Sequence, residues 1–360
     1  MATYALTRYT AAVKVGLLGL CVCAIGAQAD LQRRIEINAT QEAKWNPVDD
    51  SWQTPHQLSG QLALNTSGSS TLKSYLHLSA NSTEPHLTLD KAYAKMRWEG
   101  NRITLGKTAL GWGQGTVFNA GDVVTLPNQP SPLLAPPTDH RWLGTFQHPL
   151  GRFSFYEIAV VAPATSEAIP TASADQFTVA ARHQFQMASW HNNQIETGMA
   201  WQGTSQQLMP YISLQGGSGL NWHVSARAEI DNHYSITRQL VTAGVYGLWS
   251  RPQSSTWNYR LETVWDSAGA TTERANGYWY RHLLQGSLSL GISSRSSAFA
   301  QVMLSPIDQS SLTSLGMSSN LRQGFTLNAT LSLGQGDVDD VFSHRRTGAI
   351  AFRSNLRYAF

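Results

Sequence analysis

Any chemistry in this chain has to come from charged side chains, because the usual catalytic and metal-binding spacings are missing. The 11 histidines fall in no HExxH, HxH or cysteine-assisted pattern that would gather a metal ion. No G-x-S-x-G elbow is present, nor a Ser/His arrangement like that of a barrel phospholipase. His344 beside Asp340 offers one acid–base pair on one loop, which is thin support for catalysis. The same loop clusters Asp337, Asp339 and Asp340, and several carboxylates are what a hard cation such as calcium wants. No glycine-plus-glutamate spacing completes an EF-type site, so a solvated charged loop is the simpler reading. No cofactor and no resident metal are expected, and neither is enzyme activity.

A denser pattern is carried by arginines and glutamates on alternate residues. Arg34, Arg182, Arg227, Arg260, Arg281, Arg353 and Arg357 share one face with Glu36, Glu42, Glu196, Glu229 and Glu262. Rings of charge inside a low-dielectric tube select ions. Opposite charges that pair across strands merely hold the shape of the tube. Both readings stay open for each residue. Arg281, Arg353 and Arg357 have fewer acids beside them, which leans the tube toward anionic solutes.

The elements that must position these charges are β-strands. In Trp222–Asp231 the apolar set Trp222, Val224, Ala226, Ala228 and Ile230 alternates with His223, Ser225, Arg227, Glu229 and Asp231. A period of two means a strand with one apolar and one wet face; a helix would need spacings of three and four. Eighteen such segments are read, at about 31–46, 56–66, 71–81, 86–98, 101–109, 141–148, 151–162, 176–187, 193–203, 207–216, 219–231, 236–249, 253–266, 277–290, 296–305, 310–320, 323–334 and 346–360. A face change near Asp90-Lys91 predicts a bulge, and Pro210 predicts a bent or shortened strand. On this alternation Ala226 takes the lipid side. Ser225 takes the water side, where an arginine should be tolerated.

The connections alternate between tight and long, as in outer-membrane barrels with short periplasmic turns and longer external loops. The fold class is therefore an all-β antiparallel transmembrane barrel of 16–18 strands, one domain over residues 30–360. Trp45, Trp98, Trp201, Trp249, Trp257 and Trp265 lie near strand ends, where interface girdles account for them. One connection stands apart. Leu110–His140 carries Trp112-Gly113-Gln114-Gly115, then Asn119 and Asp122, then Pro127, Pro130, Pro132, Pro136 and Pro137. Long structureless loops are usually functional, and prolines stiffen this one. It is expected to fold into the lumen as a constriction, with Trp112, Gly113, Gly115, Asn119 and Asp122 as the pore-loop residues.

Residues 1–29 read as an export signal: Arg8 and Lys14, an apolar run from Val15 to Ile25, then Ala27-Gln28-Ala29 before Asp30. Its removal takes Arg8 and Lys14 away, lowering the formal charge from +3 to +1. The apparent basicity leaves with it, and with it any argument for a nucleic-acid partner. Cys21 and Cys23, the only 2 cysteines, leave as well.

The export signal, the alternating strands and a last strand ending Tyr358-Ala359-Phe360 together resemble a Gram-negative outer-membrane β-barrel. The segment from Arg102-Ile-Thr-Leu-Gly-Lys through Trp112-Gly113-Gln114-Gly115, with Asn119, Asp122 and a proline soon after, resembles alginate-export-like porins. Leu89-Asp90-Lys91-Ala92-Tyr93 also fits the acidic-x-Ala-aromatic strand that precedes this segment there. The resemblance implies an eighteen-strand porin passing polar solutes, small anions or exported polysaccharide. It implies outer-membrane lipid, the barrel-assembly machinery and periplasmic export components as partners, with Tyr358 and Phe360 as the assembly signal. A non-conducting barrel, either an envelope enzyme or an adhesin, is the competing class. Deleting Phe360 should reduce the folded protein recovered in outer-membrane fractions; an unchanged yield there would remove the assembly role.

Overall fold

The computed structural model describes residues 30–47, 50–67, 72–81, 87–124, 140–163, 173–187, 193–250, 256–268, 281–321, 323–337, 340–343 and 349–359. The export signal at 1–29, the prolines of the long loop, Asp339, His344 and Phe360 lie outside them.

Period-two segments become strands because each can bury one face only if a neighbour satisfies its backbone. Nineteen strands form among the described residues: β1 Asp30–Asn46, β2 Ser51–Gln53, β3 His56–Ser67, β4 Leu72–Asn81, β5 Leu87–Trp98, β6 Asn101–Thr108 and β7 Arg141–Pro149. There follow β8 Ser154–Val161, β9 Thr178–Met187, β10 Asn193–Gln202, β11 Gln207–Gly217, β12 Asn221–Ile230 and β13 Ile236–Ser250. The last are β14 Thr256–Asp266, β15 His282–Gly291, β16 Ser296–Ser305, β17 Ser310–Asn320, β18 Phe325–Gln335 and β19 Ile350–Ala359. Each full strand pairs antiparallel with its sequence neighbours, and β1 closes the ring against β19 from Glu36↔Ala359 to Trp45↔Ile350. The three-residue β2 only extends the first hairpin on β1, so the wall has 18 strands and no free edge. All eighteen segments read from periodicity are present.

Of two local predictions, the bulge is met and the shortened strand is not. The β4–β5 register slips between His77↔Lys91 and Leu78↔Leu89, which leaves Asp90 as the extra residue of a bulge. Pro210 sits inside β11 opposite Met199 without shortening it. The β11–β12 pairing skips the residues around the proline, which has no N–H to give.

All connections at one end of the barrel are five residues or fewer, whereas those of 109–140, 162–177, 267–281 and 336–349 all join strand ends at the other. That other end is termed the outer end. Burial is inside-out. Met199 is 55% exposed, Leu261 54% and Leu105 52% on the outward face. Glu196, Ser225 and Glu262 are each 1% exposed on the inward face. Tryptophans mark both ends of the apolar band. Trp45 pairs with Trp52 toward the outer end and Trp249 with Trp257 toward the other. The tyrosine of the terminal signature, Tyr358, stacks on Phe325 with ring centroids 4.5 Å apart.

Two expectations are corrected. Arg281 is not on a wall strand; β15 begins after it, and it lies exposed at the rim with Nη2 donating to the Ser267 carbonyl at 3.4 Å. Ser225 faces inward but is covered by the long loop, so it offers no room for an arginine.

Replacing Ala226 by Arg, on the outward face of β12, should destabilise the barrel by ~2–4 kcal/mol if that face meets lipid. Ser59→Arg, on the inward face of β3, should change stability little. Urea unfolding in defined lipid vesicles measures both, and equal costs would mean that alternation does not divide lipid from water.

Candidate functional site: a loop docked inside the barrel

The inward faces of β8, β10 and β14 each present a buried carboxylate, Glu157, Glu196 and Glu262. A buried carboxylate without partners is heavily penalised, so each must recruit donors. The loop between β6 and β7 supplies them, from its backbone and from one indole. Thr116 N–H and Phe118 N–H donate to Glu262 at 3.1 Å each, and Val117 N–H at 2.8 Å. Gly113 N–H donates to Glu196 Oε1 at 2.7 Å, and Trp112 Nε1–H donates to Glu157 Oε2 at 3.1 Å. Successive N–H groups turned toward one anion form a nest, here closed on a protein carboxylate.

Arg182 joins two of these anchors, with Nη2 2.7 Å from Glu157 and Nη1 3.1 Å from Glu196. Its guanidinium carbon also lies 5.1 Å from the Trp112 ring centroid. Tyr211 donates its hydroxyl to Glu196 at 2.7 Å. Arg227 Nη1 donates to the Asp122 carbonyl at 3.1 Å, and Ser225 Oγ donates to the Gln114 carbonyl at 3.3 Å. Both wall and loop are therefore polar-matched, charge against backbone.

The loop's own shape follows from its glycines and one asparagine. Asn119 Nδ2 donates to the Trp112 carbonyl at 2.7 Å while its Oδ1 accepts from Gly121 N–H at 3.1 Å. Gly113 has φ +73°, and a Cβ there would stand 2.5 Å from the Gly121 Cα. Only glycine permits both that backbone twist and that approach. Asp122 Oδ1 accepts from Val124 N–H at 3.4 Å. The Asp122 side chain thus braces the loop, and its carbonyl holds the wall.

Two apolar clusters finish the docking, both on the lumen side. Trp112, Val123 and Val124 pack with Leu143, Ala159, Val161, Ala180, Ala200, Met209 and Tyr211. Phe118 packs with Val264, Leu283, Met303, Leu312 and Phe342. Trp112 is 0% exposed. It is an anchor sealed against the wall, which corrects the expectation that it narrows the pore directly.

Phe342 brings a second loop inside, which sequence reasoning missed. The segment after β18 reads in sequence as a solvated external loop, yet it turns in toward the pore loop. Val341 N–H donates to Asp308 Oδ2 at 2.8 Å and Phe342 N–H to Ser310 Oγ at 3.2 Å. Asp308 lies in the outer turn between β16 and β17. Burial alone would raise its carboxyl; hydrogen bonds from Val341 N–H, the Ser305 hydroxyl, and the N–H and hydroxyl of Ser310 more than offset this and hold it below the usual range. Asp337 is exposed, and its N–H donates to Asp340 Oδ2 in a local turn. Among the described residues, no three His, Cys, Asp or Glu side chains gather as a metal site.

Most of the inward charges are paired. Arg227, Glu229, Arg238 and Asp266 form one ladder, with Arg227–Glu229 at 3.0 Å and Arg238–Glu229 at 3.2 Å. Arg260 stands 3.5 Å from Glu262, and Arg34 2.6 Å from Glu36. Arg353 pairs with Glu42 at 2.9 Å, which corrects its reading as a cation short of acids. Arg357 shares that inward face opposite Asn38, and its buried Nε has no hydrogen-bond partner. Glu157, Arg238 and Asp266 were not singled out in the sequence, although their even spacing from neighbouring inward residues could have found them.

A cluster of cations without ion pairs among the described residues lies on another wall. Lys91, Lys95, Arg97 and Arg102 share the inward face of β5 and β6, with Arg97 directly opposite Arg102. Among the described residues, Lys91, Arg97 and Arg102 make no ion pair. Lys95 Nζ lies 5.3 Å from the Tyr93 ring, and Tyr93 stacks on Tyr75 at 4.7 Å. The contacts named above for loop residues 109–124 fall on β7–β17 and none of them on β5 or β6.

No protein-family model matches the chain, and no curated protein matches it either. Solved structures do. Acinetobacter baumannii OccAB4 superposes with a TM-score of 0.59 at 10% identity, over 93% of this chain and 99% of that one. Pseudomonas aeruginosa OccK2 (OpdF), in complex with glucuronate, gives 0.59 at 11%, over 92% and 96%. Wzi of Escherichia coli, described as a carbohydrate-binding outer-membrane β-barrel involved in group 1 capsule assembly, gives 0.58 at 14%, over 96% and 88%. At such identities the likeness is one of fold: a closed outer-membrane-type barrel.

Asp308 supplies a pH test. Its folded carboxyl lies below the unfolded value of about 3.9. Its contribution to docking the last outer loop is therefore full above that value and is lost as pH falls through the folded one. Hydrogen exchange at Val341 and Phe342 should be slow at pH 5 and accelerate only below about pH 4. In Asp308→Asn the exchange should be faster throughout, without the acid step. An acid step retained in that variant would assign the titration to another group.

Proposed function

We propose that the protein is a passive outer-membrane channel for small anionic solutes. One observation carries the reading: paired charges lie beneath the docked loop, while Lys91, Arg97 and Arg102, without an ion pair among the described residues, share an inward wall on which loop residues 109–124 make none of the contacts named above. A paired charge presents little field, whereas unpaired cations in a low-dielectric tube raise the local concentration of anions. Barrels of this strand number enclose an aqueous channel unless something fills them. Here two loops meet at Phe118 and Phe342 and narrow the lumen from one side.

The outward apolar band, its tryptophan borders and the export signal support the outer-membrane address. Assembly there would be directed by the barrel machinery through Tyr358 and Phe360. Small solutes are favoured over exported polysaccharide because two inward-folded loops occupy the barrel. The OccK2 (OpdF) neighbour binds glucuronate, a carboxylate of the proposed class.

In planar bilayers under a potassium chloride gradient, the reversal potential should report chloride preference. The double variant Lys91→Glu/Arg102→Glu should reduce or invert it while the barrel stays folded. A cation-selective native channel, or a selectivity indifferent to these residues, overturns the proposal. Replacing Thr116–Thr138 by a short glycine bridge should raise single-channel current several-fold, because excision spares the strand ladder. An unchanged current would mean that wall residues alone set the constriction.

A further inference from the structure

Like charges stand directly opposite one another on the cationic wall, at the inner end of the barrel, away from the long loops. Arg97 on β5 is in register with Arg102 on β6, and one strand over Lys73 is in register with Lys95. The turn between β5 and β6 has two residues, Glu99 with φ +49° and Gly100 with φ +83°. In so tight a hairpin Trp98 and Asn101 are the hydrogen-bonded pair that closes the turn. Arg97 and Arg102 are then the next, non-hydrogen-bonded pair. Such partners are the closest in an antiparallel ladder, about 4.5 Å apart at Cα. Like charges directly opposite each other destabilise a sheet.

Among the described residues no carboxylate offsets this pair. Glu99, at the tip of the turn, makes no ion pair with either arginine. The partners in register are neutral, Thr104 opposite Lys95 and Gln147 opposite Arg102. Glu157, opposite Gln147, is already engaged by Trp112 and Arg182. Lys95, Arg97 and Arg102 are all exposed on the inward face, and Lys95 lies 5.3 Å from the Tyr93 ring. A chloride or a single carboxylate placed here would offset one of these three charges. The two oxygens of a carboxylate lie in one plane and are matched by a single guanidinium fork. A tetrahedral dianion has oxygens enough to accept from both forks at once and still face the lysine. Because these side chains face the lumen, a lipid headgroup outside the barrel does not reach them. The occupant is a solute.

We propose that Lys95, Arg97 and Arg102 form a site at the inner mouth of the lumen for a doubly charged tetrahedral oxyanion, of the phosphate or phosphomonoester class. The site rests on the channel reading above, since a channel is what brings a solute to it, and narrows the anion class of that reading.

Two measurements on the refolded protein test it, at about pH 8, where phosphate is doubly charged, and at constant ionic strength. In planar bilayers, inorganic phosphate and sulfate should each reduce the chloride current at concentrations roughly tenfold lower than acetate does, the worth of about one charge-assisted hydrogen bond. This comparison of anions on the wild type needs no variant. Arg97→Gln/Arg102→Gln should remove the tenfold difference. Arg295→Gln, in the exposed inner-end turn at 292–295, should keep it. The second measurement needs no current: thermal unfolding in detergent, followed by heat-modifiable migration. Phosphate should raise the wild-type midpoint, as any ligand of the folded state does, and leave that of the double variant unchanged. Without phosphate the double variant should unfold no earlier than the wild type, because a repulsion is gone. Acetate equal to phosphate in both measurements, a wild-type midpoint indifferent to phosphate, or a double variant that keeps the phosphate response overturns the proposal. A cation-selective or silent channel sinks the channel reading instead, and the migration measurement then decides the site by the same outcomes.

Discussion

The arrangement inside this barrel depends on buried carboxylates that have no water to turn to. Glu157, Glu196 and Glu262 face a lumen that the loop has closed over them, and each is satisfied by a loop N–H. The dependence runs both ways. Without the carboxylates, the N–H groups of residues 116–118 would lose their acceptors. Without the loop, Glu262 would keep only the Arg260 contact at 3.5 Å and whatever water reached it. Charge-assisted hydrogen bonds are roughly twice as strong as neutral ones, and a glycine-rich segment can present several to one acceptor. A structureless loop can thereby be held as firmly as a strand.

The barrel makes that arrangement possible by reversing the usual placement of greasy and polar residues. Its strands satisfy one another around a closed ring, so the outward face is free to be apolar. The inward face must then solve the problem of charge. On β8–β14 it does so by pairing charges with each other and with the loop. On β5 and β6 it leaves them open. This division of labour separates structural charge from charge available to a solute, and it explains why counting inward arginines predicts selectivity poorly. Arg182 and Arg227 are inward and ion-paired; Arg97 and Arg102 are inward and, among the described residues, make no ion pair.

The two lumen-side apolar clusters are the other consequence. Trp112 and Phe118 belong to the docked loop, and Phe342 belongs to a loop that enters from a different part of the sequence. Their contact ties the last outer connection to the pore loop. A change at Asp308, near the outer end, therefore reaches the constriction through Val341 and Phe342.

Alternation alone determined the strands, their order around the ring, the bulge at Asp90 and the division of faces, because each of these is a local consequence of a period of two and of short turns. The sequence also marked the loop, with Trp112, Gly113, Gly115, Asn119 and Asp122 expected at a constriction; that Asn119 and Gly113 set its shape came only with the structure. Pairing was decided only in three dimensions. Whether Arg353 is free depends on Glu42, 311 positions away in the chain, and whether Ser225 meets water depends on Gln114 lying over it. The inward turn of Val341 and Phe342 was equally invisible, since GDVDDVF is polar enough to pass for an exposed loop until Asp308 and Ser310 supply acceptors for its backbone. Period is a property of neighbours in sequence; which charge is spent and which is available is a property of neighbours in space.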